Sequence, residues 1–321
     1  MSARWHAIVL SWDGREDTLS CLESLERVAR EDLAIVCVDN ASSDGSAQAV
    51  RERFPAVTLI EAPTNLGYSA GNNLGLRHAM AAGAGWMMLV NNDTTVDPIV
   101  IEGFERAARA RPRAGILAGK LYFADRPQTI WFAGQRVSEL FGYSGRPRGY
   151  GRPDGPRYGA VRVTGRAAGA LMAISREAVE AVGLLDEELF AYVEDVEWAL
   201  RVRAADLEVA FAPDARAWHR VSASSGGEAR STATLYYGIR NTLTVLERHR
   251  PLRTAGATLR RASILATFAV HALTRPNRGE ALRAVRSGYA DARAGRLGPR
   301  PALTPAPGDS SRASPAPPPP S

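Results

Sequence analysis

The N-terminal half of the chain alternates short apolar runs with amphipathic stretches. The runs at residues 6–10, 33–38, 57–61 and 86–90 have the length and the apolar content of buried strands. In the stretches between them, apolar residues recur every three or four positions, as they do from Thr18 onward, which is typical of amphipathic helices. Strands that alternate with helices at this spacing predict an α/β fold with a mostly parallel, doubly wound sheet.

Polar residues follow these runs at the points where the predicted strands end. Asn91, Asn92 and Asp93 come directly after the fourth run, and Asp39 ends the second. Because parallel sheets bind ligands beyond the carboxyl ends of their strands, we expect Asp39 and Asp93 to converge at one edge of the sheet. Turns and helix caps use the same residue types, so the pattern alone leaves a binding site and a structural turn both open.

The segment at residues 65–75 contains three glycines and three asparagines. This composition predicts a loop whose backbone amides can approach a phosphate or a ring closely, followed by a helix through residue 82. The glycine spacing matches neither the dinucleotide fingerprint nor the P-loop. The segment is therefore a weak signal by itself.

The second half of the chain is less regular. A helix is predicted at residues 99–111, short strands at 209–212 and 217–219, and a flexible loop at 146–157, which is rich in Gly, Arg and Pro. The small, apolar residues 165–175 are compatible with a buried strand, with a wall against which a substrate packs, or with both.

Two carboxylates and one histidine stand out in this half. Glu194 and Asp195 begin a predicted helix, where carboxylates ordinarily stabilise the helix N-terminus. His219 ends a predicted strand, and a buried core histidine is the ordinary alternative to a functional role.

Composition bounds the class of protein. A chain of 321 residues, 45% of them hydrophobic, can form one large domain with an appendage. Cys21 and Cys37 match no metal or redox spacing, so we predict packed thiols in a reducing compartment. The N-terminus begins directly on a predicted strand and lacks the pattern of a secretion signal, which favours a cytoplasmic protein.

The positive charge belongs to the C-terminal part. Residues 240–300 hold thirteen arginines and three carboxylates, whereas the whole chain carries only +6. The apolar run at residues 262–273 is too short to span a membrane, so we predict either an interfacial helix on an anionic bilayer or a core helix with a solvated basic face. Few aromatic residues are interleaved with the arginines, so we expect no nucleic-acid partner. The Pro-rich tail from residue 298 is predicted to be disordered.

Five segments in fixed order resemble one family, the inverting family-2 glycosyltransferases with the nucleotide-diphospho-sugar-binding fold called GT-A, and within it the rhamnosyltransferase-like branch. The segments are residues 8–14, 38–45, 65–73, 89–94 and 192–197. The resemblance implies a GT-A catalytic domain at residues 1–230, a helical, Arg-rich, membrane-associated segment at 231–297, and a disordered tail at 298–321.

The resemblance also assigns roles to individual residues. Asp195 would be the general base that accepts the acceptor's proton, and Glu194 would orient the acceptor or Asp195. Asp93, the last residue of the family's D-x-D motif, and His219 would hold a divalent cation, Mn²⁺ or Mg²⁺. Asp39 would bind the nucleotide base. The other predicted substrate contacts are Ser11, Asp13, Asn65, Gly67, Asn72, Asn73, Asn91, Asn92 and Trp198.

Two positions depart from the family pattern. Asn91 replaces the first acid of D-x-D, and Asn72 stands where other members carry arginine. With these exceptions, the resemblance implies inverting transfer of a sugar, with rhamnose from dTDP-rhamnose as the preferred candidate, to a hydroxyl of a lipid-linked or polysaccharide acceptor.

The expected place of this reaction is the inner face of the cytoplasmic membrane. The oligomeric state is not predicted. A catalytically silent sugar-binding or scaffold protein of the same fold and a basic nucleic-acid-binding protein are the alternatives.

Overall fold

The structure is a computed structural model that describes residues 5–138, 140, 143, 145–220, 232–249 and 256–300. Its strands are β1 (Trp5–Ser11), β2 (Leu33–Asp39), β3 (Thr58–Glu61), β4 (Trp86–Asn91), β5 (Thr94–Val96), β6 (Ala114–Phe123), β7 (Arg126–Phe132), β8 (Arg152–Pro153), β9 (Arg162–Val163), β10 (Leu171–Ser175) and β11 (Glu208–His219). Its helices are α1 (Arg15–Glu26), α2 (Ser46–Arg53), α3 (Gly67–Ala81), α4 (Val100–Ala110), α5 (Arg176–Val182), α6 (Glu194–Ala204), α7 (Thr232–His249), α8 (Ala257–Leu273) and α9 (Arg278–Arg293).

One mixed sheet organises the N-terminal two thirds of the chain. Its strand order is β3-β2-β1-β4-β10-β6-β11-β5. The first four strands pair in parallel, as the alternation of strands and helices predicts. Strand β10 lies between β4 and β6 and is antiparallel to both, so the sheet is mixed in its second half. Residues 165–175 thus contain the buried strand that their composition allows.

Strand β11 corrects the prediction of two separate strands at residues 209–212 and 217–219. The chain is one continuous strand from Glu208 to His219, and its register against β6 shifts between Ala212 and Arg216. Pro213 lies in the shifted part and has no amide hydrogen for the ladder, so the pairing is interrupted without ending the strand.

The predicted loop at residues 65–75 is wrong from Gly67 onward, because α3 begins there. The glycines of this helix serve packing. A Cβ on Gly71 would lie 2.6 Å from Leu10 Cδ1, and a Cβ on Gly75 would lie 2.4 Å from Ile8 Cγ2. Because these two positions are glycine, helix α3 can approach β1 more closely than it could with any other residue type there.

The described residues form two main apolar cores. The larger one joins the sheet to α1–α5 and part of α6, and it includes the buried cysteines Cys21 and Cys37, both free thiols as predicted. Burial raises the pKa of the Cys37 thiol to about 12. The second core joins α7, α8 and α9 to residues around the start of α6. The C-terminal helices therefore pack directly against the residues around the start of α6.

Two hydrogen bonds extend the packed part beyond the expected division at residues 297 and 298. The Gly298 amide donates to the Glu188 carbonyl at 2.7 Å, and the Arg300 amide donates to the Tyr237 hydroxyl at 2.7 Å. The packed part of the chain therefore reaches Arg300, and the expected division into three segments stays a prediction. Residues 301–321 of the predicted tail and the expected boundary at 230 and 231 lie outside the described residues.

Candidate functional site

The carboxyl ends of three neighbouring strands meet at one edge of the sheet. Ser11 of β1 is aligned with Asp39 of β2, and Leu10 of β1 is aligned with Asn91 of β4. Asp39 is buried, and its Oδ2 accepts a hydrogen bond from the Ser42 amide at 3.0 Å. Its Oδ1 has no hydrogen-bond partner in the described part of the chain. Asp39 thus has one buried oxygen that a ligand can use.

The loop after β1 is fixed by polar side chains. Asn92 Nδ2 donates to the Asp13 carbonyl at 3.2 Å and to Thr18 Oγ1 at 3.0 Å, and Ser11 Oγ lies 2.9 Å from Thr18 Oγ1. Asp13 Oδ1 accepts a hydrogen bond from the Ser43 amide at 2.7 Å. The structure therefore uses Ser11, Asp13 and Asn92 to shape the loop, and a ligand would meet this loop as a preformed surface.

Asn65 and Asn40 fix the start of α3. Asn65 Oδ1 accepts hydrogen bonds from the Gly67 amide at 2.8 Å and from Asn40 Nδ2 at 3.0 Å. Gly67 has a φ of 79°, and a Cβ there would lie 2.5 Å from the Phe190 ring. Asn65 and Gly67 thus have clear structural reasons for their identity, in addition to the substrate role predicted for them.

Three further predicted substrate contacts, Asn72, Asn73 and Trp198, make hydrogen bonds within the protein. All three are buried. Asn72 Nδ2 donates to the Tyr68 carbonyl one turn earlier at 2.9 Å, and Trp198 Nε1 donates to the Gly183 carbonyl at 2.9 Å.

Asn73 connects α3 to the turn before α6. Its Nδ2 donates to the Leu185 carbonyl and to Glu187 Oε1, both at 2.9 Å, and its Oδ1 accepts from the Leu185 amide at 3.1 Å. The structure thus gives Asn73 and Trp198 structural roles, and the substrate contacts predicted for them stay predictions. Both side chains are buried, and a sequence motif does not distinguish a packing residue from a ligand contact.

Asp93 and His219 lie side by side, although they are far apart in sequence. Strand β11 is antiparallel to β5, which pairs His219 with Thr94 and places its ring next to Asp93. His219 Nε2 is 3.0 Å from Asp93 Oδ1, and both side chains are buried. The Trp131 ring packs edge-on against the imidazole at 4.9 Å between centroids.

The Asp93–His219 pair fits the chemistry of a divalent cation. The two atoms are not aligned as a hydrogen bond, and Asp93 Oδ1 has no other partner among the residues that the structure describes. Two neighbouring ligands of an octahedral cation, each about 2.1 Å from it, are about 3.0 Å apart, which is the separation seen here. Within the described ranges, no group of three or more His, Cys, Asp or Glu side chains could hold a metal ion. A cation held by this pair would need further ligands from other donors, such as substrate oxygens or water.

Glu194 and Asp195 begin α6, and both are buried. Asp195 Oδ2 accepts from Arg166 Nη1 at 2.5 Å, while its Oδ1 is buried without a hydrogen-bond partner in the described ranges. Arg166 is itself oriented, because its Nε donates to Gln135 Oε1 at 3.0 Å. Sequence reasoning missed both Arg166 and Gln135. The single arginine within the small, apolar residues 165–175 was the signal that could have identified Arg166.

The backbone before Glu194 is strained. Positive φ angles occur at Phe190 (64°), Tyr192 (68°) and Val193 (73°). For a β-branched residue such as Val193 this conformation is a clear outlier, and it persists only where surrounding contacts impose it.

Helix α7 supplies the contacts that hold this turn. Asn241 Nδ2 lies 2.9 Å from the Leu189 carbonyl and 2.8 Å from the carbonyls of Ala191 and Tyr192. Arg240 Nη2 donates to the Leu189 carbonyl at 2.9 Å, and both Arg240 and Asn241 are fully buried. The C-terminal part of the chain thus fixes the turn that presents Asp195.

Glu194 is expected to be protonated at neutral pH. Burial and the neighbouring negative charge of Asp195 raise the pKa of Glu194 to about 8. Its contribution to stability is therefore fully present below the pKa of an unfolded glutamate and is lost as the pH rises through about 8.

We predict that Glu194→Gln, which keeps the shape without the titration, becomes more stable than the wild type as the pH rises from 5 to 8. The gain at pH 8 is on the order of 3 kcal/mol in the free energy of unfolding. Urea unfolding at each pH measures it, and Glu177→Gln at an exposed position of α5 is the control. Parallel pH profiles of the Glu194 variant and the wild type would contradict the prediction.

Comparison with known proteins agrees with the fold and the resemblance. Residues 7–180 match the profile of "Glycosyl transferase family 2". An N-acetylglucosaminyl-diphospho-decaprenol L-rhamnosyltransferase of Mycobacterium tuberculosis is 30% identical over 231 residues, which are 65% of this chain and 74% of the relative. A dTDP-rhamnosyl transferase of Shigella flexneri is 23% identical over 261 residues, 78% of this chain and 83% of the relative.

Solved structures give the same fold at lower identity. A mannosyltransferase from Pyrobaculum calidifontis, in complex with GDP-Man and Mn²⁺, superimposes with a TM-score of 0.55 and 21% identity over 92% of this chain and 76% of that one. GalNAc-T7 with UDP, GalNAc and Mn²⁺ gives a TM-score of 0.61 and 13% identity over 91% of this chain and 54% of that one. The chain therefore belongs to glycosyl transferase family 2, has the GT-A fold and is a glycosyltransferase.

Proposed function

We propose that this enzyme transfers rhamnose, with inversion, from a nucleotide-diphospho-sugar to a hydroxyl of a lipid-linked or polysaccharide acceptor. The arrangement of Asp195 carries the proposal. One carboxylate oxygen is held by Arg166 and the other is buried without a partner in the described residues, so an acceptor hydroxyl can donate to it. A carboxylate in this position can accept the proton as the hydroxyl attacks the sugar. The names of the two rhamnosyltransferase relatives support the choice of sugar.

The donor would lie across the carboxyl edge of the sheet. The available oxygen of Asp39 suits a hydrogen bond from the nucleotide base, and Asp93 and His219 would hold a divalent cation. When bound, such a cation neutralises the charge that develops on the departing nucleoside diphosphate. The Mn²⁺ complexes of two proteins with the same fold support this assignment.

We also propose that α8 attaches the enzyme peripherally to an anionic membrane surface, the inner face of the cytoplasmic membrane. None of the described helices combines the length and the apolar content that a membrane crossing requires. Helix α8 buries one face in the second core, and Leu259, Ala262, Ala266, Val270 and Leu273 form an exposed apolar stripe on the other. Arg260 and Arg261 belong to the same helix, next to Leu259 and Ala262 in sequence, and their charges suit anionic headgroups.

One reconstitution experiment tests both proposals. Purified enzyme is incubated with Mn²⁺, a lipid-linked sugar acceptor in vesicles and a panel of nucleotide sugars. We expect transfer from dTDP-rhamnose to exceed that from the other donors, and we expect the enzyme to sediment with anionic but not with zwitterionic vesicles. Transfer of a different sugar would overturn the donor assignment. Equal sedimentation with both vesicle types would overturn the membrane assignment.

Family membership and the rhamnosyltransferase relatives support an enzyme over a silent scaffold or a nucleic-acid-binding protein. An enzyme and a silent scaffold also differ in the result that they predict for the reconstitution experiment. A silent scaffold would bind the nucleotide sugar and leave it intact.

A further inference from the structure

An Arg-rich groove lies beside the loop at residues 146–158. Its volume is about 450 Å³, and its lining includes Arg146, Arg152, Arg157, Tyr150 and Tyr158. The three arginines are exposed, whereas Tyr158 is buried and packs in a small apolar cluster under the loop. We call this feature the arginine groove. The sequence predicts only a flexible loop here, and the proposed function has so far assigned the groove no role.

The positive charge of the groove is uncompensated. Within the described residues, no carboxylate oxygen lies within 4.0 Å of a guanidinium nitrogen of Arg146, Arg152 or Arg157. The nearby carboxylate of Asp154 is already engaged, because it accepts hydrogen bonds from Lys120 Nζ at 3.0 Å and from the Tyr122 hydroxyl at 2.6 Å. This pairing anchors the loop to β6 and leaves the arginines without a counter-charge.

Two further arginines lie near the residues that line the groove. Arg148 and Arg162 are half-buried, and Arg148 Nη1 and Arg162 Nε are buried without hydrogen-bond partners in the described ranges. Burial and the nearby charges of Arg162 and Arg157 lower the pKa of the Arg148 guanidinium. Four like charges on the loop and a fifth, Arg162 on β9, thus lie in one region, and a bound anion would reduce their mutual repulsion.

Two contacts relate the loop that forms the groove to the rest of the chain. On one side, the Tyr150 ring packs edge-on against Phe123 at 5.5 Å between centroids, and Phe123 is aligned with His219 in the pairing of β6 and β11. On the other side, Tyr143, just before the loop, is buried in the second core with α7 and α8. The aromatic residue Tyr150 of the groove is thus connected, through Phe123, to the strand that carries His219.

We propose that the arginine groove binds the diphosphate group of a diphosphate-linked lipid acceptor. Guanidinium groups present paired donors that match phosphate oxygens, and the groove volume is within the range of small-ligand sites. The groove sets the acceptor class, because it favours acceptors with a charged diphosphate over neutral glycans. This inference rests on the proposed function for its substrate, although the binding itself can be measured separately.

The test compares the full-length wild type with the variant Arg146→Gln/Arg152→Gln/Arg157→Gln, in which only exposed side chains change. We expect the KM for a diphosphate-linked acceptor to rise about 30-fold or more, because each lost charge-assisted hydrogen bond weakens binding several-fold. The KM for the nucleotide sugar should stay within about two-fold, since the donor would bind at the sheet edge. An alkyl glycoside acceptor without phosphate should be used equally well by both proteins.

The matched control is Arg51→Gln/Arg106→Gln/Arg109→Gln, which removes the same charge from α2 and α4. It should behave as the wild type. A rise in the donor KM with an unchanged acceptor KM would assign the groove to the donor diphosphate and overturn the proposal. Equal loss with charged and neutral acceptors would also overturn it.

A binding measurement keeps the groove separate from the reaction. In calorimetric titration with geranyl diphosphate, we expect about 30-fold weaker binding by the groove variant than by the wild type and by the control variant. Geraniol, which lacks the phosphates, should not distinguish the three proteins. Equal binding of geranyl diphosphate by all three would overturn the proposal. If no nucleotide sugar supports transfer, the proposed function fails, whereas a difference in this titration still supports an anion site.

Discussion

Replacing Asp195 by Asn is expected to lower kcat by about 10²–10⁴, the usual contribution of a general base. The amide keeps the shape of the carboxylate and can still accept the hydrogen bond from Arg166, so the turn and helix α6 should be unchanged. The amide oxygen cannot accept the proton of an acceptor hydroxyl. The measurement is single-turnover transfer with saturating donor and acceptor, together with the KM of each, which should change little.

The chain offers a closely matched control for this variant. Asp97 is also a buried aspartate with an arginine partner, because Arg216 Nη2 lies 2.8 Å from its Oδ2, but it is placed after β5 and outside the site. Asp97→Asn should keep kcat near the wild-type value. Transfer by Asp195→Asn at a rate close to wild type would show that another group accepts the proton.

If His219 holds a divalent cation as proposed, replacing it by Ala is expected to lower kcat/KM by about 100-fold or more, because such a cation would contribute several kcal/mol to the stabilisation of the leaving group. EDTA should have an effect of similar size on the wild type, and added Mn²⁺ should restore the wild type but not the variant. Calorimetry should show weaker Mn²⁺ binding to His219→Ala in the presence of nucleoside diphosphate.

A histidine at the protein surface gives the control for the metal experiment. His271 is exposed on α8, and His271→Ala should keep both Mn²⁺ binding and transfer. Full transfer by the wild type in EDTA would remove the metal role of both Asp93 and His219. Loss of transfer without loss of Mn²⁺ binding would assign His219 a different task.

The fold can be predicted where the physical signal is local. Apolar runs of strand length followed by Asp39 or Asn91 predict both the parallel strands and the polar edge, because side-chain burial and strand ends follow from the chain itself. The place of β10 between β4 and β6 cannot be derived in this way, since antiparallel insertion depends on contacts between distant segments.

The candidate site shows the same division. Asp93, His219 and Asp195 come from motifs that the family resemblance provides, and the structure brings Asp93 and His219 to 3.0 Å of each other. Arg166 and Gln135 belong to no motif. They pair with each other in an isolated antiparallel bridge between distant segments, and this pairing orients Arg166 toward Asp195. The glycines of α3 lead to the wrong prediction of a loop for a physical reason. In sequence, a glycine that permits close helix–strand contact cannot be distinguished from a glycine that makes a loop flexible.

The hydrogen bonds from α7 to the turn before Glu194 limit how the C-terminal part can be exchanged between related enzymes. Arg240 and Asn241 lie beyond residue 180, where the family match ends, and beyond the expected boundary at residue 230. A chimera that takes its C-terminal part from a relative would inherit that relative's contacts to the catalytic turn. The C-terminal helices therefore cannot be exchanged independently of the turn before Glu194, and exchange should preserve activity only where Arg240 and Asn241 are retained.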